Sequence, residues 1–225
     1  MLWQQIQKYV TIRPMQKPFE EIIKNFLPSG DERLDALLKF TALAEEMTAI
    51  LRRTNLADGS RRQNDAEHSW RIALMALIFK EYFIEEVDTT RAATICLAHD
   101  LVEIYAGDTF AYDAAANVGK EERERAAADK LFGQLPPDIG TRLRNLWDEF
   151  EAMQTPESRY ANCMDRIEPF LNNSLAVDGG TWAQAGADVA AVEKRGKPIK
   201  DNMPRVWEWL QKNIERAKKQ GFIKE

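Results

Sequence analysis

Residues 72–79 read IALMALIF, which is apolar on every face of a helix. Such a helix is stable in water only when other elements wrap it, so it is placed at the centre of a core. Apolar residues recur at helical spacing through most of the chain, and no long two-residue alternation flanked by turn residues is found. The fold class that follows is all-α. The 225 residues fit one large domain or two small ones. No internal repeat, low-complexity segment or linker divides them, so one helical bundle is expected.

The elements follow from spacing and caps. Leu34, Leu37, Leu38, Thr41, Ala44, Met47, Ile50 and Leu51 mark one face of a helix over about 32–53, ended by Gly59 and Ser60. The apolar helix runs over about 65–84. Another spans about 89–105, with Asp88 or Thr89 as its N-cap. Residues 106–118 form a loop rich in small residues. Helices follow over about 119–133 and 138–153, separated by Pro136-Pro137. Thr155-Pro156-Glu157 begins another, since proline suits a first turn; it runs to about 177, before Asp178-Gly179-Gly180. A short helix at 181–195 and a loop with Pro198 and Pro204 precede a last helix that buries Val206, Trp207, Leu210 and Ile214. Residues 1–30 read as a peripheral N-terminal helical segment, 31–178 as the main domain, and 179–225 as a C-terminal helical extension on the same domain.

Composition excludes several functions. With 31 basic and 36 acidic residues the net charge is −5, which argues against a partner of the nucleic-acid polymer kind. A small anion is not excluded, provided local arginines or a metal offset the field. Cys96 and Cys163 lie in apolar stretches and read as reduced core residues of a cytoplasmic protein. No CxxC pair is present. No apolar run approaches the roughly 18 residues of a membrane span, and the first 18 residues carry no signal-peptide core. Only two histidines occur, His68 and His99, so a three-histidine zinc site within one chain is excluded.

The informative segment is Ala98-His99-Asp100-Leu101-Val102-Glu103. A His-Asp dipeptide alone is weak, and a lone histidine is as well explained by burial and a neighbouring helix. On a helix, however, three- and four-residue spacings put Glu103 on the side of His99 and Asp100. An imidazole and two carboxylates at a buried helix are costly unless paired or metal-bound. Asp108 follows just after Ala106-Gly107. His68 lies in Asn64-Asp65-Ala66-Glu67-His68-Ser69, at the start of the apolar helix, where a solvated first-turn residue is the plainer alternative. Asp165 lies among Cys163, Met164 and Ile167 and needs a partner. A salt bridge to Arg166 is the simple option, although adjacent helix residues do not face each other.

These blocks, with Met164-Asp165-Arg166-Ile167-Glu168, resemble the HD-domain metal-dependent phosphohydrolases, and most closely their 5′-deoxynucleotidase branch. Lys120-Glu121-Glu122-Arg123-Glu124 and Leu146-Trp147-Asp148-Glu149-Phe150 are also similar. The resemblance covers about residues 33–175 and makes 31–178 the HD domain. It implies that His68, His99, Asp100 and Asp165 hold one divalent cation. Such a mixed nitrogen and oxygen set suits Mn, Co, Fe, Zn or Ni, and Mg is a further option. The activity it implies is hydrolysis of a phosphomonoester, a (deoxy)nucleoside 5′-monophosphate, to nucleoside and phosphate. Glu103 would transfer a proton, and Asp108 would orient the attacking water or share that task.

Arg53 resembles the arginine that relatives carry shortly before the first metal histidine, and is expected to touch substrate phosphate. Arg61 and Arg62 are weaker candidates. Thr54 stands where some relatives have a tryptophan that helps reject a ribose 2′-hydroxyl, so the resemblance does not extend to sugar selection. The loop at 106–118 could act as a lid. Binuclear and di-iron members of the superfamily use further histidines between the two motif halves, which this chain lacks. Dimerisation is common in the family and fits the tryptophan-containing terminal helix, so a homodimer is expected. The alternative function is a non-catalytic, metal- and nucleotide-binding regulatory HD protein. A purely structural helical protein leaves Asp100 and Asp165 unexplained.

Overall fold

Asp31 starts the first long helix. In the computed structural model, which describes residues 19–113 and 117–225, a short helix α1 (Phe19–Ile22) precedes α2 (Glu32–Ala44). Residues 1–18 of the expected N-terminal segment, and 114–116 of the expected loop, lie outside the described residues. The Asp31 carboxylate accepts from Arg33 N and Leu34 N, satisfying two donors the helix leaves open. Leu43 and, in the following 3₁₀ turn (Glu45–Thr48), Met47 are buried.

The helix expected to reach residue 53 ends there. Leu51–Asn55 is a strand, β1, paired antiparallel with β2 (Arg62–Asn64). Along β1 the side chains alternate, with Arg52 and Thr54 inward and Leu51 and Arg53 outward. Five residues are too few for that alternation to stand out against the helical spacing before it. Asp58 closes the turn by accepting from Ser60 N and Oγ, while Gly59 takes the left-handed conformation at φ 70°.

The central helix α3 (Asp65–Ile78) begins with a capping box. Glu67 N donates to Asn64 Oδ1 at 2.9 Å, and Asn64 N donates to Glu67 Oε2 at 3.2 Å. Ile72, Ala73, Met75 and Ala76 are buried, but Trp70, Leu74, Leu77 and Ile78 are exposed, so the helix is wrapped on one side and not all round. The helix expected over 89–105 is likewise interrupted. α4 (Thr89–Ala98), capped by Asp88, stops at His99, and a turn through Asp100–Val102 leads to the short α5 (Glu103–Ala106). The break aims His99, Asp100 and Glu103 by turn geometry instead of by helical spacing.

The remaining helices are α6 (Lys120–Phe132), α7 (Pro137–Ala152), α8 (Pro156–Leu175), α9 (Gly180–Ala185), α10 (Val189–Asn202) and α11 (Pro204–Lys219). The single helix expected at 181–195 is two, divided at Gly186 and restarted by Asp188, whose side chain accepts from Ala191 N. Pro198 lies inside α10, not in a loop. It costs a backbone donor, yet Val192, Gly196 and Ile199 are buried and keep the helix in place.

α3, α4 and α8 pack together, and α8 in turn receives α10 and α11. One buried cluster runs from Ile72 to Ile223 and includes Trp182, Trp207 and Leu210; a second joins Leu43, Val102, Leu131, Phe132 and Trp147. Among the described residues no helix is long and apolar enough to cross a membrane.

At Gly196, α10 packs tightly against side chains of α11 and α8. A Cβ there would run into the Trp207 ring and touch that of Phe170. Overpacking of this kind costs about 1–3 kcal/mol. Gly196→Val should therefore lower Tm by roughly 3–10 °C in thermal unfolding. An unchanged or higher Tm would show that the contact is not tight.

Candidate active site

α3, the α4–α5 turn and α8 each send polar side chains into one point of the core. His68, in the first turn of α3, is fully buried. Its Nε2 lies 3.2 Å from Asp165 Oδ1 and 3.8 Å from Asp100 Oδ2. His99 ends α4 and donates from Nδ1 to the Cys96 carbonyl at 2.7 Å, which fixes the tautomer and leaves Nε2 bare. That Nε2 is 3.0 Å from Asp100 Oδ1 and 4.0 Å from Asp165 Oδ1, yet it is buried and makes no hydrogen bond among the described residues. One ligand atom from each of His68, His99 and Asp100 falls within 4.8 Å of the others. Bare imidazole nitrogen and carboxylate oxygen converging in a buried site is a donor set that suits a divalent cation.

A second layer holds His68 from behind. Nδ1 donates to Glu168 Oε2 at 3.2 Å, and Glu168 Oε1 accepts from Gln63 Nε2 (2.8 Å), Arg71 Nη1 (2.8 Å) and Asn172 Nδ2 (3.0 Å). Burial pushes the Glu168 carboxyl up, but His68, Arg71 and Gln63 bring it below its ordinary value. Burial and Arg52 oppose a charge on His68, but hydrogen bonds and charge from Asp165 and Glu168 outweigh them and raise it to about 9. The ring is thus held between two carboxylates, one on the cluster side and one behind.

Arg52, not Arg53, enters the site. Its Nη1 donates to Asp100 Oδ2 at 2.8 Å and lies 3.5 Å from Asp65 Oδ1. Burial opposes its charge, but Asp100, Asp165, Glu103 and Asp108 hold it protonated. Arg53 is exposed on the other face of β1, over the Phe110 ring at 5.8 Å. Arg61 pairs with Glu67, and Arg62 is exposed; neither reaches the site.

The cluster opens into a cavity of about 890 Å³ whose walls include Arg52, Glu103, Asp108, Lys120, Asp165 and Arg195. Glu103 is buried. Desolvation, then Asp100 and Asp65, push its carboxyl well above the ordinary range, which favours its neutral form. Burial also raises Asp108, against the pull of Arg52. Asp65, fully buried beside Glu103 and Asp100, is pushed up to about 6 by desolvation and by the Asp100 charge.

Sequence reasoning passed over Asp65, Arg52 and the role of Glu168. Glu168 was the findable one, three residues after Asp165 on the same helix face. Arg52 needed the strand, which reverses the inward face between residues 52 and 53.

An all-helical bundle that draws an H…HD…D set from three elements to one end of a cavity defines a class of protein. The HD domain family model matches residues 44–207. The chain belongs to the HD-domain family. Bovine 5′-deoxynucleotidase HDDC2 is 31% identical over 109 residues, covering 48% of this chain and 52% of the relative. The human HDDC2 protein is 26% identical over 140 residues, covering 62% and 67%. The chain thus spans about half to two thirds of the length of these curated relatives. A solved structure from Magnetospirillum magnetotacticum, named a predicted metal-dependent phosphohydrolase, is 42% identical with a TM-score of 0.81; the match covers 89% of this chain and all of that one. A conserved hypothetical protein from Pyrococcus furiosus, 21% identical with a TM-score of 0.52 over 79% of this chain, shares the fold.

The raised value of His68 has a measurable consequence. A protonated imidazole cannot ligate, so a cation taken up on His68 at pH 7 would have to displace a proton. Apparent affinity should rise about tenfold per pH unit up to about pH 9, read by calorimetry in buffers of different ionisation enthalpy. Because this group's value is raised on folding, its contribution to metal-free stability is complete below about 6.5 and lost as pH climbs through about 9. No proton release at pH 7 would contradict the site.

Proposed function

We propose that this protein is a metal-dependent phosphohydrolase that converts a (deoxy)nucleoside 5′-monophosphate to nucleoside and phosphate, with one divalent cation held by His68, His99, Asp100 and Asp165. The observation that carries the proposal is the bare, buried His99 Nε2 facing Asp100 and Asp165 at the floor of a cavity that also presents Glu103 and Asp108. The names of the curated relatives and of the Magnetospirillum structure point to the same chemistry. Mn, Co, Fe, Zn, Ni and Mg all remain compatible with the donors.

A divalent cation in such a site supplies Lewis-acid polarisation of a phosphoryl oxygen and makes water more acidic. The chain supplies the rest. Arg52 orients Asp100 and offsets its charge. Asp108 orients the attacking water and takes its proton as the new P–O bond forms. As the bond from phosphorus to the 5′-oxygen breaks, protonated Glu103 delivers its proton to that oxygen, so the leaving group departs as an alcohol. Arg53, expected to hold the phosphate, is exposed over the Phe110 ring and is not among the residues that line the cavity, so other residues are assigned that task. Six cationic and six carboxyl side chains line the cavity. Their charges nearly cancel, so a bound cation leaves a net positive well for a dianion.

A homodimer belongs to the same proposal. On the terminal helix Val206, Trp207, Leu210 and Ile214 are buried in this chain's own core, and Trp209 is exposed. The support is the exposed apolar side of α3 and α4, with Trp70, Leu74, Leu77, Ile78 and Leu97.

With Mn²⁺ or Co²⁺, phosphate release from nucleoside 5′-monophosphates should be metal-dependent. Asp100→Ala should lose both metal and turnover. Glu103→Ala should keep most of the metal and lose at least about 10²-fold in kcat. Metal-loaded protein without turnover on any monophosphate would instead favour the regulatory reading, in which Glu103→Ala changes nothing measurable but binding.

A further inference from the structure

The outer oxygen of Asp165 is shared by two arginines. Arg195 Nη2, from α10, lies 3.2 Å from Asp165 Oδ2, and Arg166 Nη1 lies 3.3 Å from the same atom. Arg166 Nη1 also donates to Asn162 O at 3.1 Å and Asn162 Oδ1 at 2.7 Å. The other guanidinium nitrogens of both residues make no hydrogen bond among the described residues and are not among the buried unpartnered atoms, so they stay accessible. Both side chains line the cavity; Arg166 is 13% and Arg195 31% exposed.

One carboxylate oxygen cannot satisfy two guanidinium forks. Each presents five N–H donors in a plane, and crowding two like charges on one anion is unfavourable unless a second anion joins them. Asp165 Oδ1, meanwhile, faces the imidazoles. The carboxylate therefore sets the two arginines immediately beside the ligand cluster, with spare donors toward the cavity. The donors match the tetrahedral oxygens of a phosphoryl group, which guanidinium forks bind in pairs.

We propose that Arg195, with Arg166, forms the phosphate-binding clamp of the site, contributed by the C-terminal helix α10 and not by the strand arginine Arg53. This rests on the phosphohydrolase reading above and deepens it, by assigning the phosphoryl contact to residues outside the metal ligand set. Gly196 serves the same arrangement, since the close approach it permits seats α10 against α8 and α11.

The test uses full-length, metal-loaded protein with inorganic phosphate as the probe. Arg195→Ala, Arg195→Lys and, as a charge control on the same helix outside the cavity, Lys200→Ala are compared by calorimetric phosphate titration, metal content, Tm and turnover of a deoxynucleoside 5′-monophosphate. Arg195→Ala should weaken phosphate binding and raise KM by roughly ten- to a hundredfold, with metal content and Tm unchanged. Arg195→Lys should recover part of the loss, and Lys200→Ala should shift either value less than about threefold.

Unaltered phosphate affinity in Arg195→Ala, equal losses in Lys200→Ala, or loss of metal from Arg195→Ala would each overturn the clamp. They would mean a bystander ion pair, a diffuse field, or action through Asp165, respectively. If the wild type binds phosphate in an Arg195-dependent way but turns over no nucleotide, the clamp stands and the hydrolase reading fails. Normal turnover with an indifferent Arg195 fails the clamp alone.

Discussion

The site depends on an imidazole of α3 held between two carboxylates of α8. His68 is fully buried, with Asp165 at 3.2 Å on one nitrogen and Glu168 at 3.2 Å on the other. Burying these groups unpaired would cost several kcal/mol each. Together with Gln63, Arg71 and Asn172 they make a connected polar core inside an apolar bundle. The capping box at Asn64 fixes where His68 sits along α3, and packing of α8 against α3 and α4 brings Asp165 and Glu168 to it. Loss of either carboxylate leaves a buried imidazole misdirected, and the second-layer partner of a metal-binding histidine commonly sets its affinity by ten- to a hundredfold.

The surrounding electrostatics follow from the same burial. Asp100 and Asp165 stay ionised because Arg52, Arg166, Arg195 and the imidazoles neutralise them, whereas Glu103 and Asp65, facing carboxylates in a dry wall, are pushed toward the neutral form. One wall thus contains carboxylates fit to hold a cation beside a carboxyl, Glu103, whose burial favours the neutral form. Environment separates their roles.

Much of this was legible in the chain itself. Two histidines, one followed by aspartate, with Asp165 in an apolar helix, marked candidates, and the family resemblance joined His68, His99, Asp100 and Asp165 into one set; the fold brings side-chain atoms of these residues to 3.0–4.0 Å from one another. The helical fold class followed from apolar spacing, and the starts of α4 and α8 from the caps Asp88 and Thr155. What escaped were short-range reversals of direction. β1 is five residues long, too short for its period to register, and it exchanges Arg52 for Arg53 at the site. The turn at Asp100–Val102 interrupts a run that reads as one helix, and Pro198 is carried inside α10 by tertiary packing that local propensity does not reveal. The exposed side of α3 was hidden for a related reason: an apolar sequence says that a face can be buried, not that this chain buries it. Arg195 lies about thirty positions beyond Asp165, and nothing local links them.

The account stands on one cation-binding point where α3, α4 and α8 meet. Anomalous diffraction from crystals loaded with Mn²⁺ tests it most directly. The predicted result is a single strong peak per chain in contact with His68 Nε2, His99 Nε2, Asp100 and Asp165. A peak away from these four residues, or none at saturating metal, would contradict it.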